Sequence, residues 1–168
     1  MNPNIHNQDN VQTDKESKEA KKYQLKIDND VYTSEKAQVT RIDILEMSGK
    51  TPVCRYEVYQ EINPHKELKL LGDGQIADLS QPGIEKFVTK LLQQVTFFLS
   101  DEPFTTTELE LTPGKILTKK FGEQANQYYL KQIVGQTQIS YEGKPDEPIT
   151  MCPDLKFIYI FTGPMTVS

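Results

Sequence analysis

The chain has 168 residues, 36% of them hydrophobic, and a formal net charge of −5 from 19 basic and 24 acidic residues. This length suits one domain or two small ones, and the modest apolar content favours two small cores over one large core. The negative charge excludes the basic field that non-specific binding of nucleic acid or an anionic membrane requires, so neither is an expected partner.

The cysteine content and the absence of long apolar runs predict a soluble, cytoplasmic protein. Cys54 and Cys152 lie far apart and in no CxxC pattern, and cysteine this sparse is typical of a reducing compartment where thiols stay free. No run approaches the ~20 apolar residues of a membrane span, and the N-terminus lacks a stretch of signal-peptide type.

Residues 1–22 contain no aromatic residue and only scattered aliphatic ones. Such a segment does not bury enough apolar surface to offset the entropy of ordering it. We therefore expect a disordered N-terminal arm over residues 1–22.

From Tyr23 onward, apolar and polar residues alternate as in half-buried strands. Turn and capping residues then divide the segment into elements. The elements predicted for residues 23–91 are a strand at 23–27, a turn at Asn29–Asp30, a strand from Val31, a helix capped by Thr40 and ended by Gly49, a strand at 53–62 that Cys54 begins, glycine turns at 71–75, and a strand at 84–89.

The same order recurs over residues 95–163. Thr112 followed by Pro113 is an N-cap with proline in the first turn, which favours a helix start. The predicted elements are a strand at 94–100, a turn at 101–103, a strand at 104–109, a helix from 114 to Gly122, and strands at 128–134, 138–141 and 155–161.

A constant offset relates the two segments. An offset of 72 takes Tyr23 to Val95, Thr40 to Thr112 and Tyr56 to Tyr128, and after the third strand an offset of 70 pairs Leu79 with Ile149 and Phe87 with Phe157. Because apolar positions survive the shift, we interpret the chain as one core pattern written twice.

Each repeat reads strand, turn, strand, helix, strand, short strand, strand, which is the order of a β-grasp fold. The right-handed crossover places the helix across one sheet face, with the first and last strands side by side in the centre. The prediction is an α+β chain with two tandem β-grasp domains, residues 23–91 and 95–163, followed by a tail at 164–168. The junction at 91–94 lacks the Gly/Ser content of a flexible linker, so we expect a fixed pair.

Several segments resemble ubiquitin, and together they resemble the bacterial multi-ubiquitin-domain proteins. The segments are VTRIDILEMSG, RYEVYQE and ADLSQPGIEKFVT in the first repeat, and LTPGKILTKKFG, YYLKQIVG and ITMCPDLKFIYIFTGP in the second. The resemblance implies a non-enzymatic modifier attached to targets through its C-terminus by partner activating and conjugating enzymes. It also implies a deubiquitinase-like partner and operons linked to antiphage defence, with no cofactor.

The C-terminal segment departs from the ubiquitin pattern. It reads Thr162-Gly163-Pro164-Met165-Thr166-Val167-Ser168, with no Gly-Gly. Three alternatives stay open: a protease exposes Gly163 by cutting before Pro164, the Ser168 carboxylate is used directly, or the tail is not conjugated.

The second repeat carries a candidate partner-binding surface. If Phe97 and Leu99 face the core, alternation points Phe98 away from the helix, together with Tyr129 and Lys131; either Phe157/Tyr159 or Ile158/Ile160 shares that face. The matching residues of the first repeat, Lys26 and Glu57, are charged. Exposed apolar clusters mark protein partners, but docking of the first domain or self-association explains this one equally well.

Other chemistries have little support. A nucleophilic Cys152 needs a histidine or another group that lowers its pKa, and we expect only a half-buried cysteine in a turn, at the repeat position of Pro82. Two cysteines and two scattered histidines do not make a structural zinc site, and Gly72-Asp73-Gly74 lacks the rest of a P-loop. The rival function is a non-conjugated scaffold that binds partners or itself through the Phe98/Tyr129 face.

Overall fold

The computed structural model describes residues 20–164, which form two α+β units in tandem. The first unit contains β1 Tyr23–Ile27, β2 Asp30–Ser34, β3 Gln38–Thr40, α1 Arg41–Met47, β4 Tyr56–Ile62, β5 Glu67–Leu70, β6 Ile76–Asp78 and β7 Glu85–Leu91. The second contains β8 Val95–Leu99, β9 Glu102–Thr106, β10 Glu110–Leu111, α2 Pro113–Phe121, β11 Tyr128–Val134, β12 Thr137–Ser140, β13 Ile149–Thr150 and β14 Lys156–Phe161. Residues 1–19 of the predicted disordered arm at 1–22 lie outside the described range, and so does Ser168.

Each unit is built on a mixed five-stranded sheet with the same topology. The strand orders are β2-β1-β7-β4-β5 in the first unit and β12-β11-β14-β8-β9 in the second. In each sheet the first and last strands of the unit are parallel neighbours at the centre: β1 pairs with β7, and β8 with β14. The predicted α+β fold with two tandem β-grasp units is confirmed.

The two cores are separate clusters, each formed between one sheet face and one helix. In the first unit, Leu25 and Ile27 of β1 lie against Ile44 and Leu45 of α1, all of them 0–1% exposed. Fully burying one such side chain contributes about 1.5–3 kcal/mol. The period of two in the strands therefore determines which sheet face the helix covers.

Both helices start at the threonines that the sequence indicated. Thr40 caps α1 through a capping box in which its hydroxyl accepts from the Asp43 amide, and the Asp43 carboxylate accepts from the Thr40 amide at 2.8 Å. Thr112 caps α2 by accepting from the Lys115 amide at 3.3 Å, with Pro113 in the first turn. These caps satisfy amides that have no partner within the helix.

The offset of 72 carries over from sequence to structure. It takes β1 onto β8, β2 onto β9 and β4 onto β11, end to end. The pairing of Leu79 with Ile149, however, is wrong. The Leu79 amide donates to the Ala37 carbonyl at 2.7 Å, and the Met151 amide donates to the Leu109 carbonyl at 2.8 Å. Leu79 is therefore equivalent to Met151, because the second unit has two more residues before this point and two fewer in the turn that follows. For the same reason Cys152 is equivalent to Ser80, and the predicted equivalence with Pro82 is wrong.

Three local predictions are also wrong. The predicted turn at Asn29–Asp30 is shifted, because Asp30 belongs to β2 and the turn is formed by Asp28 and Asn29. Cys54 lies in a 3₁₀ turn at Val53–Arg55 that precedes β4, so it does not begin the strand. The predicted turn at 101–103 is shifted, because Glu102 and Pro103 belong to β9. The bend is made instead by Ser100 and Asp101, whose φ angles are +50° and +66°.

Candidate functional site

The outer face of the second sheet carries the predicted partner-binding residues. Phe98 lies on β8 between buried Phe97 and Leu99, so its side chain is on the face away from α2. Tyr129 and Lys131 lie on β11 on either side of buried Leu130. The structure thus brings all three to one sheet face, each partly buried.

Register resolves which residues of β14 share that face. Tyr129 pairs with Ile160 and Lys131 with Ile158, and paired residues point to the same side of a sheet. Ile158 and Ile160 therefore complete the face. We call the set Phe98, Tyr129, Lys131, Ile158 and Ile160 the outer face.

The outer face is an apolar strip with two cations beside it, Lys131 on β11 and Lys156, which is paired with Phe98. The Lys131 ammonium lies 5.9 Å from the centre of the Tyr129 ring, within cation–π range. A surface of this composition suits a protein partner that covers aromatic and aliphatic side chains and places a carboxylate or a carbonyl near Lys131.

The corresponding face of the first unit is more polar, as predicted, but it is not purely charged. Glu57 accepts a hydrogen bond from the Tyr59 hydroxyl at 2.8 Å, and Glu61 lies 3.5 Å from the Lys86 ammonium. Leu70, which is paired with Tyr59, is 48% exposed on the same face. The two units therefore present faces of different chemistry on one fold.

The tail leaves the second unit at the end of β14. The Thr162 amide donates to the Gln127 carbonyl at 2.7 Å, and its hydroxyl donates to the same oxygen at 3.2 Å. Beyond Thr162 the chain passes under the Phe161 ring, where a Cβ on Gly163 would lie 2.6 Å from the ring. Glycine at 163 permits this close approach, and Pro164 beyond it is exposed. Ser168, the other candidate carboxylate, lies outside the described residues.

The expectation of two free thiols is wrong: Cys54 and Cys152 form a disulfide, with their Cα atoms 5.5 Å apart. The bond ties the 3₁₀ turn of the first unit to the turn before β14 of the second. The pairing could not be predicted from the sequence, because the cysteines are 98 residues apart and only the packing of one unit on the other brings them together. Cys152 therefore does not present a free thiol nucleophile.

Arg55, beside Cys54, is the centre of the joint between the units. It is 1% exposed, and its guanidinium donates to the carbonyls of Leu92 at 2.9 Å, Glu108 at 3.1 Å and Met151 at 3.1 Å. A planar fork of five N–H donors is suited to several carbonyls at once. The expectation of a fixed pair agrees with this network.

The sequence contains a signal for the joint at the position where the repeat is interrupted. The offset of 72 places Asn126 opposite Cys54 and Gln127 opposite Arg55. Two adjacent residues thus depart from the repeat at a position where the flanking strand is preserved. A departure of this kind indicates a residue that serves something other than the common core.

Two general features complete the description of residues 20–164. Both α-helices in this range are too short and too polar to cross a membrane. Within the same range, histidine, cysteine and acidic side chains form no group of three that could hold a metal ion.

Comparison with known proteins places the first unit in a family. The family model described as Multiubiquitin matches residues 23–91, which extend from the first residue of β1 to the last residue of β7. No curated protein matches the chain. The first unit is thus similar to the Multiubiquitin family, and the second unit repeats its strand order and its helix.

Proposed function

We propose that this protein, whose first unit matches the Multiubiquitin family model, is a ubiquitin-like modifier that partner enzymes activate and conjugate to targets through its C-terminal tail. The proposal includes a ubiquitin-activating-like enzyme, a ubiquitin-conjugating-like enzyme and a deubiquitinase-like protease, acting in the cytoplasm in bacterial antiphage defence. The cysteines do not support the cytoplasmic location, because Cys54 and Cys152 form a disulfide. The protein itself is a substrate of these enzymes and not a catalyst.

The observation that carries the proposal is the exit of the tail. β14 is a central strand, yet its last residue, Phe161, is 44% exposed, and Thr162 and Pro164 are exposed beyond it. A segment held at one end by a folded domain and open at the other is suited to enter the active site of another protein. The two hydrogen bonds from Thr162 to the Gln127 carbonyl fix where that open segment begins.

The outer face supports recognition by the same enzymes. Phe98, Tyr129, Ile158 and Ile160 form an apolar strip beside the cations Lys131 and Lys156 on the unit that bears the tail, and the corresponding strip of the first unit carries the carboxylates Glu57 and Glu61. An activating enzyme that must select the tail of the second unit benefits from a contact surface that the first unit does not offer.

A truncation series tests the proposal with the cognate activating enzyme. The chains end at Ser168, at Gly163 and at Thr162, and ATP–pyrophosphate exchange reports formation of the tail adenylate. If a protease exposes Gly163, the chain ending at Gly163 is activated and the full chain only after trimming. If Ser168 is used directly, only the full chain is activated.

The chain ending at Thr162 is the negative control, because it keeps every strand and both hydrogen bonds to Gln127. Exchange that is equal for all three chains, or absent for all three, would contradict conjugation through this tail. Intact mass spectrometry of the protein from its own host provides an independent check for trimming or for an attached target.

The second candidate function is a non-conjugated scaffold. The same outer face favours it, because an apolar strip binds a partner whether or not the tail reacts. Under this alternative, the full chain and the two truncated chains behave alike, while substitution of Ile158 abolishes partner binding.

A further inference from the structure

The joint between the units borders a cleft whose other lining residues belong to the first unit. The cleft measures about 340 Å³, and the second unit contributes Cys152, Pro153 and Asp154 to its wall. These three residues are the turn before β14. Within one chain, the turn that precedes the last strand of one unit therefore already packs against another unit beside this cleft, through the disulfide and the hydrogen bond from Arg55 to Met151.

The second unit has a groove at the equivalent position, which we call the tail groove. It measures about 680 Å³, and all of its lining residues belong to the second unit, among them Pro113, Asn126, Tyr128, Tyr129, Tyr141 and Thr162. By the repeat offsets these are the counterparts of Arg41, Cys54, Tyr56, Glu57, Leu71 and Leu92, which line the joint cleft.

Backbone hydrogen bonds confirm that the two sites are equivalent. The Leu92 amide donates to the Arg55 carbonyl at 2.7 Å, just as the Thr162 amide donates to the Gln127 carbonyl at 2.7 Å. The chain therefore leaves each unit at the same point. After Leu92 it continues into a docked neighbour, whereas after Thr162 it continues into the tail.

The tail groove is more apolar than the joint cleft. Pro113 stands where the cleft has Arg41, and Tyr129 stands where it has Glu57. Burial raises the pKa of Tyr141, with a further contribution from Glu147, so this tyrosine is neutral at physiological pH, and its hydroxyl donates to the Gln132 side chain at 3.0 Å. Because the groove is apolar, burial of apolar side chains can stabilise a contact there without the disulfide that the joint has.

We propose that the tail groove receives the Ser80–Gly83 turn from the first unit of a second copy, so that chains join head to tail. The Leu79 and Met151 amides make equivalent hydrogen bonds, so Ser80 follows Leu79 as Cys152 follows Met151. The residues from Ser80 to Ile84 are exposed, and Ile84 is 46% exposed. This turn is two residues longer than the one at the joint cleft.

The second unit also keeps a hydrogen-bond donor at the centre of the site. Gln127 replaces Arg55, and a glutamine amide can donate to the Leu79 carbonyl of the incoming copy as Arg55 donates to Met151. Groove and turn are different surfaces, so the contact is heterologous and produces open chains whose length increases with concentration. The inference is independent of conjugation, since neither the adenylate nor the enzymes enter it.

Engineered cysteines test the geometry. Asn126 occupies the place of Cys54 and Ser80 the place of Cys152, so we expect an Asn126→Cys chain mixed with a Ser80→Cys chain to form a mixed disulfide in a glutathione redox buffer. Peptide mapping identifies the bond and verifies that Cys54–Cys152 is retained. The expected mixed product exceeds what random pairing of two exposed thiols yields. A product distribution equal to random pairing would overturn the proposal.

Sedimentation velocity of chains without engineered cysteines provides the second measurement. We expect the weight-average mass of the native chain to rise above 19.2 kDa with concentration, and Ile84→Lys to abolish the rise. Ile42→Lys is the matched control, because Ile42 is 48% exposed on α1, outside both surfaces. A native chain that stays monomeric at millimolar concentration, or an equal loss in both variants, contradicts the head-to-tail contact.

Discussion

The guanidinium of Arg55 donates a hydrogen bond to the carbonyl of Met151 at 3.1 Å, although 96 residues separate them in the sequence. Arg55 precedes β4 of the first unit, and Met151 follows β13 of the second. With the disulfide between the adjacent residues, Cys54 and Cys152, this contact makes the joint a two-part connection, one part covalent and one part a hydrogen-bond network. Each part can be removed separately.

Replacing Arg55 by methionine tests the network. The substitution keeps an apolar stem but leaves the carbonyls of Leu92, Glu108 and Met151 without this donor. Since an unsatisfied buried polar group costs about 1–3 kcal/mol, we expect the free energy of unfolding in urea to fall by about 3 kcal/mol. Arg55→Lys should recover only part of the loss, because a single ammonium does not reproduce the fork.

Lys115→Met serves as the control for loss of a cation. The Lys115 side chain is 62% exposed and pairs with Glu108 at 3.3 Å, and an exposed pair of this kind contributes about 0–1 kcal/mol. If Arg55→Met costs no more than Lys115→Met, the buried network does not stabilise the joint.

Removing the disulfide tests the covalent part. Cys54→Ser and Cys152→Ser each break the bond, which joins residues 98 positions apart, and a long closed loop predicts a loss of about 2–4 kcal/mol. The double variant should lose no more than either single variant, because one bond accounts for both. Urea unfolding measures all three chains.

A reductant provides the matched comparison. Dithiothreitol should lower the urea midpoint of the native chain towards that of Cys54→Ser and leave the midpoint of Cys54→Ser unchanged. Two alkylatable thiols in the native chain purified without reductant would show that the bond does not form.

Local patterning was sufficient to predict the sheets and helices but not the joint. The alternation in Val95–Leu99 and the Thr112–Pro113 start depend on neighbours within a few residues, so a single sequence contains them. Two-residue ladders such as β10 with β13 are too short to show a period. The disulfide depends on how one unit packs against the other, and no local pattern reports that contact.

The candidate surfaces divide in the same way. Phe98, Tyr129 and Lys131 could be assigned to one face from the period of two, because each is adjacent to a core residue in sequence. The choice between Ile158 and Phe157 needed the register of β14 against β11. The tail groove could not be predicted from the sequence pattern, since it is formed by residues of a helix, a strand and two loops.

Acid should weaken the first unit through Asp28. Burial raises the pKa of this carboxyl, but hydrogen bonds from the Thr89 amide at 2.8 Å and hydroxyl at 2.9 Å, with Lys50 at 3.2 Å, outweigh burial and hold the pKa below its usual value. A pKa that is lower in the folded state than the unfolded value of about 3.9 means that the unfolded chain binds the proton first. The stabilisation is complete above the unfolded pKa and is lost as pH falls through the folded pKa.

Thermal unfolding between pH 2 and pH 6 measures this effect. Asp28→Asn should have a lower Tm than the native chain at pH 6, and the difference should shrink towards pH 2. Asp30→Asn, at an exposed position two residues away, is the control and should follow the native curve. A constant difference between Asp28→Asn and the native chain across the whole range would show that titration of Asp28 is not the cause.

Substitution on the outer face should weaken recognition by the activating enzyme without unfolding the chain. Ile158 of the second unit and Val88 of the first are repeat equivalents, since Lys131 pairs with Ile158 as Tyr59 pairs with Val88. We expect Ile158→Glu to raise the KM for the modifier in ATP–pyrophosphate exchange at least about tenfold, the loss of roughly 1.4 kcal/mol of binding. Val88→Glu should change KM by no more than about twofold, because Val88 lies on the unit without the tail. This corresponds to a loss of less than roughly 0.5 kcal/mol of binding free energy.

The comparison isolates the surface, because both substitutions put a carboxylate on the same face of the same fold at partly buried positions. Circular dichroism and urea midpoints establish that the two variants are equally folded. If KM rises equally for both variants, the enzyme reads both units; if it rises for neither, the apolar strip of the second unit serves a different partner. Only a selective effect of Ile158→Glu agrees with an enzyme that recognises the unit bearing the tail.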